Sequence, residues 1–443
     1  MNFNRKIKML LTLIISTLLI LLIIFFATNY IKKKKQKIIK LEKQIIDLKI
    51  EKENIVNKIE SIPFSYFETF DFEIFDKTLH LKKFETKILD FTKGLGGKGS
   101  SYLDFFDNQL YLVTANGLIA KTKIKNINFD KFDMKIVKNN LDKYLNQRLK
   151  FTDLSYLAYG IKDIMIEADK IYISFTDEIK KNCFNISILE GKISNENIKF
   201  KYFFKPDNCI KKNTEQFFSL HQSGGRIINL NHNNLLLSVG EFRSRLLAQK
   251  TNNINGKIIK INKINKTTKI ISIGHRNPQG LFFDKESNYI YVSEHGPKGG
   301  DEINIITNQN KILNFGWPIA SYGEHYKREG EDNSEIYKLA PLYKSHSDFG
   351  FIEPEKSFTP SIGISELILL NLFDEKILIV SSLGYDLTEG DMSLHLYKVN
   401  KQNLENYKVI PLKERIRDMI YLKDKKMIIL FLETSTSIGV IKL

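Results

Sequence analysis

Cysteine, tryptophan and proline are scarce in this 443-residue chain, which has two, one and nine of them. Two cysteines, Cys183 and Cys209, cannot staple a disulfide-dense scaffold or fill a four-cysteine zinc site. Nine scattered prolines leave no proline-rich linker. Acidic residues are also in short supply: 51 Asp and Glu against 67 Lys and Arg give a net charge of +16. Such a balance raises nucleic-acid binding as a function. The densest basic run, Lys32-Lys33-Lys34-Lys35, has no interleaved aromatics and abuts an apolar stretch, so that reading is set aside.

Only one long apolar run is present. Met9 to Ile31 is 23 residues without a charge, long enough to cross ~30 Å of hydrocarbon as a helix. A signal peptide would have a shorter apolar region and a clear small-residue cleavage site, and Phe26-Ala27-Thr28 is a weak one. An uncleaved signal anchor is expected. Residues 1–60 carry 13 Lys/Arg against 5 Asp/Glu, half of the basic excess. Lysines from Lys32 to Lys40 would lie at the headgroups, each contributing ~1 kcal/mol near an anionic surface. They outnumber Arg5, Lys6 and Lys8 before the helix, which by charge alone would put the large domain in the cytoplasm. From Ile38, the residues Leu41, Ile45, Leu48, Ile55, Ile59 and Ile62 keep heptad spacing with a break at Lys52. A short coiled coil, through which the chain could form a homo-oligomer, and a single amphipathic stalk helix both fit.

The chain therefore divides into a cytoplasmic tip and anchor (1–31), a basic juxtamembrane segment and stalk (32–62) and a large domain (63–443). In the last of these, short runs rich in Ile, Val, Leu, Tyr and Phe alternate with Asn, Asp, Gly and Lys turns. A unit of three strands recurs at Tyr102–Ile124, Ile164–Leu189, Arg226–Ile261, Gly280–Ile306, Leu367–Val399 and Asp418–Leu443. Six units that cannot bury both faces alone favour an all-β, six-bladed β-propeller over a β-sandwich. Lys125–Gly160 and Gly323–Pro360 would be loops on the faces of the disc.

Four motifs carry chemistry-bearing residues: His221-Gln222-Ser223-Gly224-Gly225-Arg226, Gly274-His275-Arg276-Asn277-Pro278-Gln279-Gly280, Ser293-Glu294-His295-Gly296-Pro297-Lys298-Gly299-Gly300-Asp301-Glu302 and Glu414-Arg415-Ile416-Arg417-Asp418. A zinc reading of His275 and His295 is weak, since their spacing fits no helical or knuckle pattern and no cysteine is near. In a strand-like stretch Arg415 and Arg417 point the same way, as a pair for two carboxylates would.

The ordered set resembles the soluble glucose dehydrogenase / aldose sugar dehydrogenase family, whose members oxidise sugars with pyrroloquinoline quinone (PQQ) and calcium. The resemblance spans about Gly94 to the C-terminus and implies roles for these residues. His221 would be the general base, with a pKa near the working pH. Arg276 and Asn277 would contact PQQ, Arg276 offsetting negative charge at a quinone oxygen. The carbonyls of Gly296 and Pro297 would bind Ca²⁺, a hard cation that takes oxygen ligands, with Asp301 and Glu302 supporting the loop. Arg415 and Arg417 would bind PQQ carboxylates. The resemblance also implies a six-bladed count and an exported, periplasmic or extracellular domain. Electrons would pass from the sugar to an acceptor at the membrane.

The chain departs from the family at three places. Leu220 stands where glucose-oxidising members carry an acid before the base. Gly384 stands where they carry a PQQ-contacting lysine after Ser382-Leu383. Gly240-Glu241 is followed by Arg243 and Arg245, either of which could replace that lysine from another blade. A membrane-anchored sugar dehydrogenase is the reading that these residues favour; a non-catalytic propeller acting as a binding scaffold is the alternative. In an exported domain Cys183 and Cys209 could close a disulfide, with two buried thiols as the alternative.

Overall fold

A computed structural model describes residues 22, 26–44, 60–89, 100–145, 159–212, 218–326 and 334–443. The chain forms two compact bodies, Met1–Glu60 and Ser61–Leu443. In the first, residues 26–44 are helical and exposed, including Ile38 and Leu41 of the heptad seam. The expected span Met9–Ile31 and the seam from Ile45 to Ile59 lie largely or wholly outside the described residues. Among the described residues no helix is long and apolar enough to cross a membrane. Ile62, read as the last stalk position, is instead fully buried in the strand Ser61–Ile74, opposite Met134. An isoleucine at the right spacing continued the helical series on paper, but Pro63 and the aromatic run after it favour a strand.

The second body is all β. Four sheets are separate sets, antiparallel except for the pairing of Thr268–Ile273 with Leu313–Asn314. They begin with Ile161–Glu167, Gly224–Asn231, Pro278–Asp284 and Ile364–Leu372, and each gains three or more strands outward. A ten-stranded sheet holds the rest, because the 14-residue strand Ser61–Ile74 joins two sets. Its first residues pair with Lys131–Asn139, the outer strand of the set that begins with Ser101–Phe106. The remainder pairs with Lys77–Glu85, which in turn completes the set Ile416–Leu422, Met427–Leu432 and Ser437–Lys442. The leading strands neighbour one another in a closed cycle, from Ser101–Phe106 through Ile161–Glu167, Gly224–Asn231, Pro278–Asp284, Ile364–Leu372 and Ile416–Leu422 back to the first. The fold is propeller-like, with its apolar core between successive sheets.

The three strands read in each sequence unit are present, and their tight turns explain why. Asp107-Asn108 and Phe373-Asp374 have positive φ at both positions, the geometry that joins twisted antiparallel strands through two residues. Lys125–Gly160, expected as a face loop, instead contributes the outer strand Lys131–Asn139. Cys183 and Cys209 are joined in a disulfide with Cα atoms 5.3 Å apart. It ties the start of the strand Cys183–Lys192 to the segment that leads toward His221.

At the axis of the cycle stands Arg226. Its Nη1 lies 3.1 Å from Asp163, 2.8 Å from Glu366 and 2.6 Å from Asp418. Its Nε donates to the carbonyl of Gln279 at 2.6 Å and its Nη2 to that of Arg417 at 2.9 Å. The Tyr102 ring lies 5.3 Å away. Each of the other five leading strands thus contributes at least one contact to a single buried guanidinium. The carboxylates also reach neighbouring backbones: Asp418 accepts from Leu103 N at 2.5 Å, and Asp163 from Ile227 N at 2.8 Å. Burial pushes Asp163 up to about 7 and Glu366 to about 8 against the pull of Arg226, with Asp418 adding repulsion. Surrounding carboxylates hold Arg226 well above its usual value despite burial.

Arg226→Met would strand three buried carboxylates and should cost about 3–5 kcal/mol. The raised pKa values of Asp163 and Glu366 give the sign of the pH effect. A carboxyl that keeps its proton in the fold stabilises it at low pH, and that contribution is lost as pH rises through the folded value. The deficit of the variant should therefore be smaller near pH 5 than near pH 9, as measured by denaturant unfolding at both.

Candidate active site

The motifs read from the sequence meet above the Arg226 hub, and hydrogen bonds join them. Asn277 Oδ1 accepts from Gly224 N and from Gln279 Nε2, both at 3.0 Å. Gln222, oriented by its partners, accepts from Arg276 Nη2 at 2.8 Å and donates to Glu241 at 2.7 Å. The His221 and Arg276 motifs are thereby bound side by side. Arg276 donates from Nη1 to the His295 carbonyl at 2.9 Å, while its backbone N–H donates to Glu294 at 2.9 Å. Its guanidinium lies 5.4 Å from the ring of Trp317, the only tryptophan of the chain. That contact adds a cation–π attraction and fixes the plane of the fork.

Arg415 and Arg417 come from the last set. They share one buried carboxylate, Glu433, at 3.4 and 2.5 Å. Ser100 also donates to Glu433 at 2.5 Å, and the two guanidinium groups hold its pKa low against burial. The Tyr385 ring lies 4.5 Å from Arg415. Two arginines on one carboxylate, with a third whose fork meets a carbonyl and an amide, form a donor set with surplus positive charge. Donors of this kind suit a ligand with several carboxylates, so the residues fit PQQ.

His221 is open to solvent on one side and packed by protein on the others. Burial of that packed side and then the charge of Lys162 lower its pKa, so the ring is neutral near pH 7. His295 is pushed down to about 4 by burial and by Arg276, Arg417 and Arg415, against Asp301. This shared sensitivity puts all three arginines within electrostatic reach of one imidazole.

The loop at Gly296 is closed by Asp301, whose oxygens accept from Gly296 N at 3.0 Å and Ile364 N at 2.9 Å. A Cβ at Gly296 would lie 1.8 Å from the Gly300 carbonyl, so only glycine fits there. Ser361 donates weakly to the Pro297 carbonyl at 3.4 Å. Glu302, expected beside Asp301, turns instead toward Asn304 and His346. His275 is fully buried and bonded to Ser272 at 2.7 Å and Glu294 at 3.3 Å. Among the described residues no three His, Cys, Asp or Glu side chains converge on a metal position. A calcium ion here would depend on carbonyl oxygens, as those of Gly296 and Pro297 would provide.

Sequence reading missed Lys162, Glu433 and Tyr385. Arg245, one expected replacement for the lost lysine, lies 5.8 Å from the Trp317 ring and 3.1 Å from His325, on the Arg276 side. Leu220 is buried and offers no polar group to a sugar.

Similarity to known proteins agrees with this arrangement. The chain is 27% identical over 185 residues to aldose sugar dehydrogenase YliI of Escherichia coli, covering 38% of this chain and 48% of that protein. It spans about half or less of the length of the curated relatives it matches. The crystal structure of the apo soluble aldose sugar dehydrogenase from Escherichia coli superposes with a TM-score of 0.57 at 18% identity, over 79% of this chain and 97% of that one. The PQQ-bound aldose sugar dehydrogenase of Streptomyces coelicolor gives 0.53 at 16% identity, over 80% and 96%. At those identities the structures speak for the fold. The model of the Glucose / Sorbosone dehydrogenase family matches residues 155–439, well over half of the sequence, and the chain belongs to that family.

Proposed function

We propose that the protein is a PQQ- and calcium-dependent dehydrogenase that oxidises an aldose-type sugar, built on a six-bladed propeller and held at the cell membrane by its N-terminal helix. The observation that carries this reading is the buried trio Arg276, Arg415 and Arg417, of which the last two share one carboxylate, Glu433, together with the accessible His221 in the motif bonded to Arg276 through Gln222. Six leading strands in a closed cycle support the blade count. When bound, PQQ supplies a two-electron acceptor for the hydride of the sugar. Arg415 and Arg417 would hold its carboxylates, Arg276 and Asn277 its polar edge, and the Gly296 and Pro297 carbonyls the calcium beside it.

The work of the protein is to take a proton and to hold charges in place. As the C–H bond of the sugar gives up its electron pair, the hydroxyl proton must leave, and His221 accepts it. The lowered pKa keeps that ring unprotonated at neutral pH, which a base requires. Arg276 is fixed by its bond to the His295 carbonyl and by Trp317, so little reorganisation is needed as negative charge grows nearby. The alternative, a non-catalytic propeller, is favoured by one observation: Gly384 replaces the lysine implied by the family.

The exported side is proposed from the Cys183–Cys209 bond, which persists outside a reducing cytosol, although the lysines after the apolar run oppose it. Rapid alkylation of intact cells followed by non-reducing mass spectrometry should recover the linked peptides. Two alkylated thiols would place the domain in the cytoplasm.

Arg415→Ala with Arg417→Ala should abolish PQQ binding, followed by cofactor absorbance, without unfolding the chain; unchanged affinity would sink the site assignment. His221→Ala should keep PQQ and lose ~10²–10⁴ in turnover on the best aldose of a dye-reduction screen. With the parent, kcat/KM should rise with pH along a limb centred below ~6.5, the free imidazole value, because the base is active once deprotonated.

A further inference from the structure

The loss of the family lysine at Gly384 is not a simple truncation. A Cβ at that position would lie 1.9 Å from a carboxylate oxygen of Asp391. That carboxylate is in use, accepting the backbone N–H groups of Tyr385, at 2.5 Å, and Asp386, at 2.7 Å. The loop has been rebuilt around Asp391, and no longer side chain fits. A cation for that part of the site must come from elsewhere in the cycle.

Strand register points to its source. The leading strand Ile416–Leu422 shifts register between Ile416 and Asp418, so Arg417 stands at the irregularity and Asp418 follows it to pair with Arg226. The leading strand Ile161–Glu167 repeats this arrangement. It shifts register between Ile161 and Asp163, Lys162 stands at the irregularity, and Asp163 follows it to pair with the same Arg226. Lys162 is therefore to its sheet what Arg417 is to the last one, and the hub that fixes both acids fixes both cations relative to the axis. A second observation places the lysine stem. Gly225, in the His221 motif, has φ +117°, and a Cβ there would lie 2.3 Å from Lys162 Cβ and 2.7 Å from its Cγ. The glycine leaves the corridor along which Lys162 runs past the base motif. The charge of Lys162 acts on His221, and the charge of Arg417 acts on Lys162, so the ammonium is within electrostatic reach of both.

We infer that Lys162 is a direct cofactor contact, a cation from the second sheet of the cycle that takes over the role which Gly384 cannot fill. This rests on the PQQ reading above. The side chain is nine-tenths buried yet charged at acid pH, since burial and Arg417 lower its pKa to about 7. An anionic ligand beside it would hold the proton on.

The test is equilibrium binding of PQQ to the full chain, read by cofactor absorbance rather than turnover. Lys162→Met should weaken binding about 10- to 100-fold, the loss of one charge-assisted hydrogen bond, and Lys162→Arg should recover part of it. Parental affinity in a folded Lys162→Met variant overturns the inference and leaves the PQQ reading standing. Failure of the parent to bind PQQ overturns both. Should Lys162→Met not fold, amine labelling of the unaltered protein decides. PQQ should shield the Lys162 peptide from modification, and equal labelling with and without PQQ overturns the inference.

Discussion

One guanidinium holds the propeller-like body together. Arg226 collects three carboxylates, two carbonyls and an aromatic face from the surrounding strands, and no other side chain described touches so many sheets. The arrangement is a constraint as much as a source of stability. A buried cation needs its anions, buried anions need their cation, and each is useless without correct placement of the others. Geometry at the axis is thereby fixed to within hydrogen-bond tolerances. The site residues inherit that precision, because Lys162 and Arg417 each immediately precede a hub acid, and Asn277 and Gln279 lie one and three residues beyond Arg276.

The electrostatics of the site follow from this core. Positive charge dominates above the hub, with Arg276, Arg415, Arg417 and Lys162 crowding two imidazoles. Burial comes first in depressing both rings, and the nearby cations add to it: Lys162 at His221, and Arg276, Arg417 and Arg415 at His295, against Asp301. Below, the balance reverses: one arginine faces three acids, of which Asp163 and Glu366 hold on to protons. In two strands a single step along the chain, from Lys162 to Asp163 and from Arg417 to Asp418, separates the two environments.

Much of this was legible in the sequence. Apolar runs broken by Asn, Asp, Gly and Lys turns located three strands in every set. The glycine-rich motifs located Arg276, Asn277 and the Gly296 loop, because glycine is demanded where backbones approach closely, as at Gly296. The outer strands were not legible. Asn403–Pro411 alternates weakly, and Lys131–Asn139 alternates but carries charges at Lys131, Asp133, Lys135 and Lys138. The role of Arg226 was also hidden, because its acids lie at positions 163, 366 and 418 and only register brings them together. Lys162 had a signal that went unread: Lys-Asp in one leading strand has the same form as Arg-Asp in another. Ile62 shows the opposite error, in which a heptad spacing ran on into a strand.

The closure of the last sheet has a consequence for how the protein is made. Glu85 lies opposite Ser437, so an early strand finds its partner only when the final residues are available. Until then Lys77–Glu85 lacks its partner Ser437–Lys442, and the cycle around Arg226 lacks Asp418. A nascent chain can assemble hairpins in order but cannot lock the axis. Pairing at such sequence distance is slow, and exposed edges invite association with other chains. Resistance to unfolding therefore arrives late, when strands far apart in sequence are joined, and the open sheets before that step are where a chaperone would act.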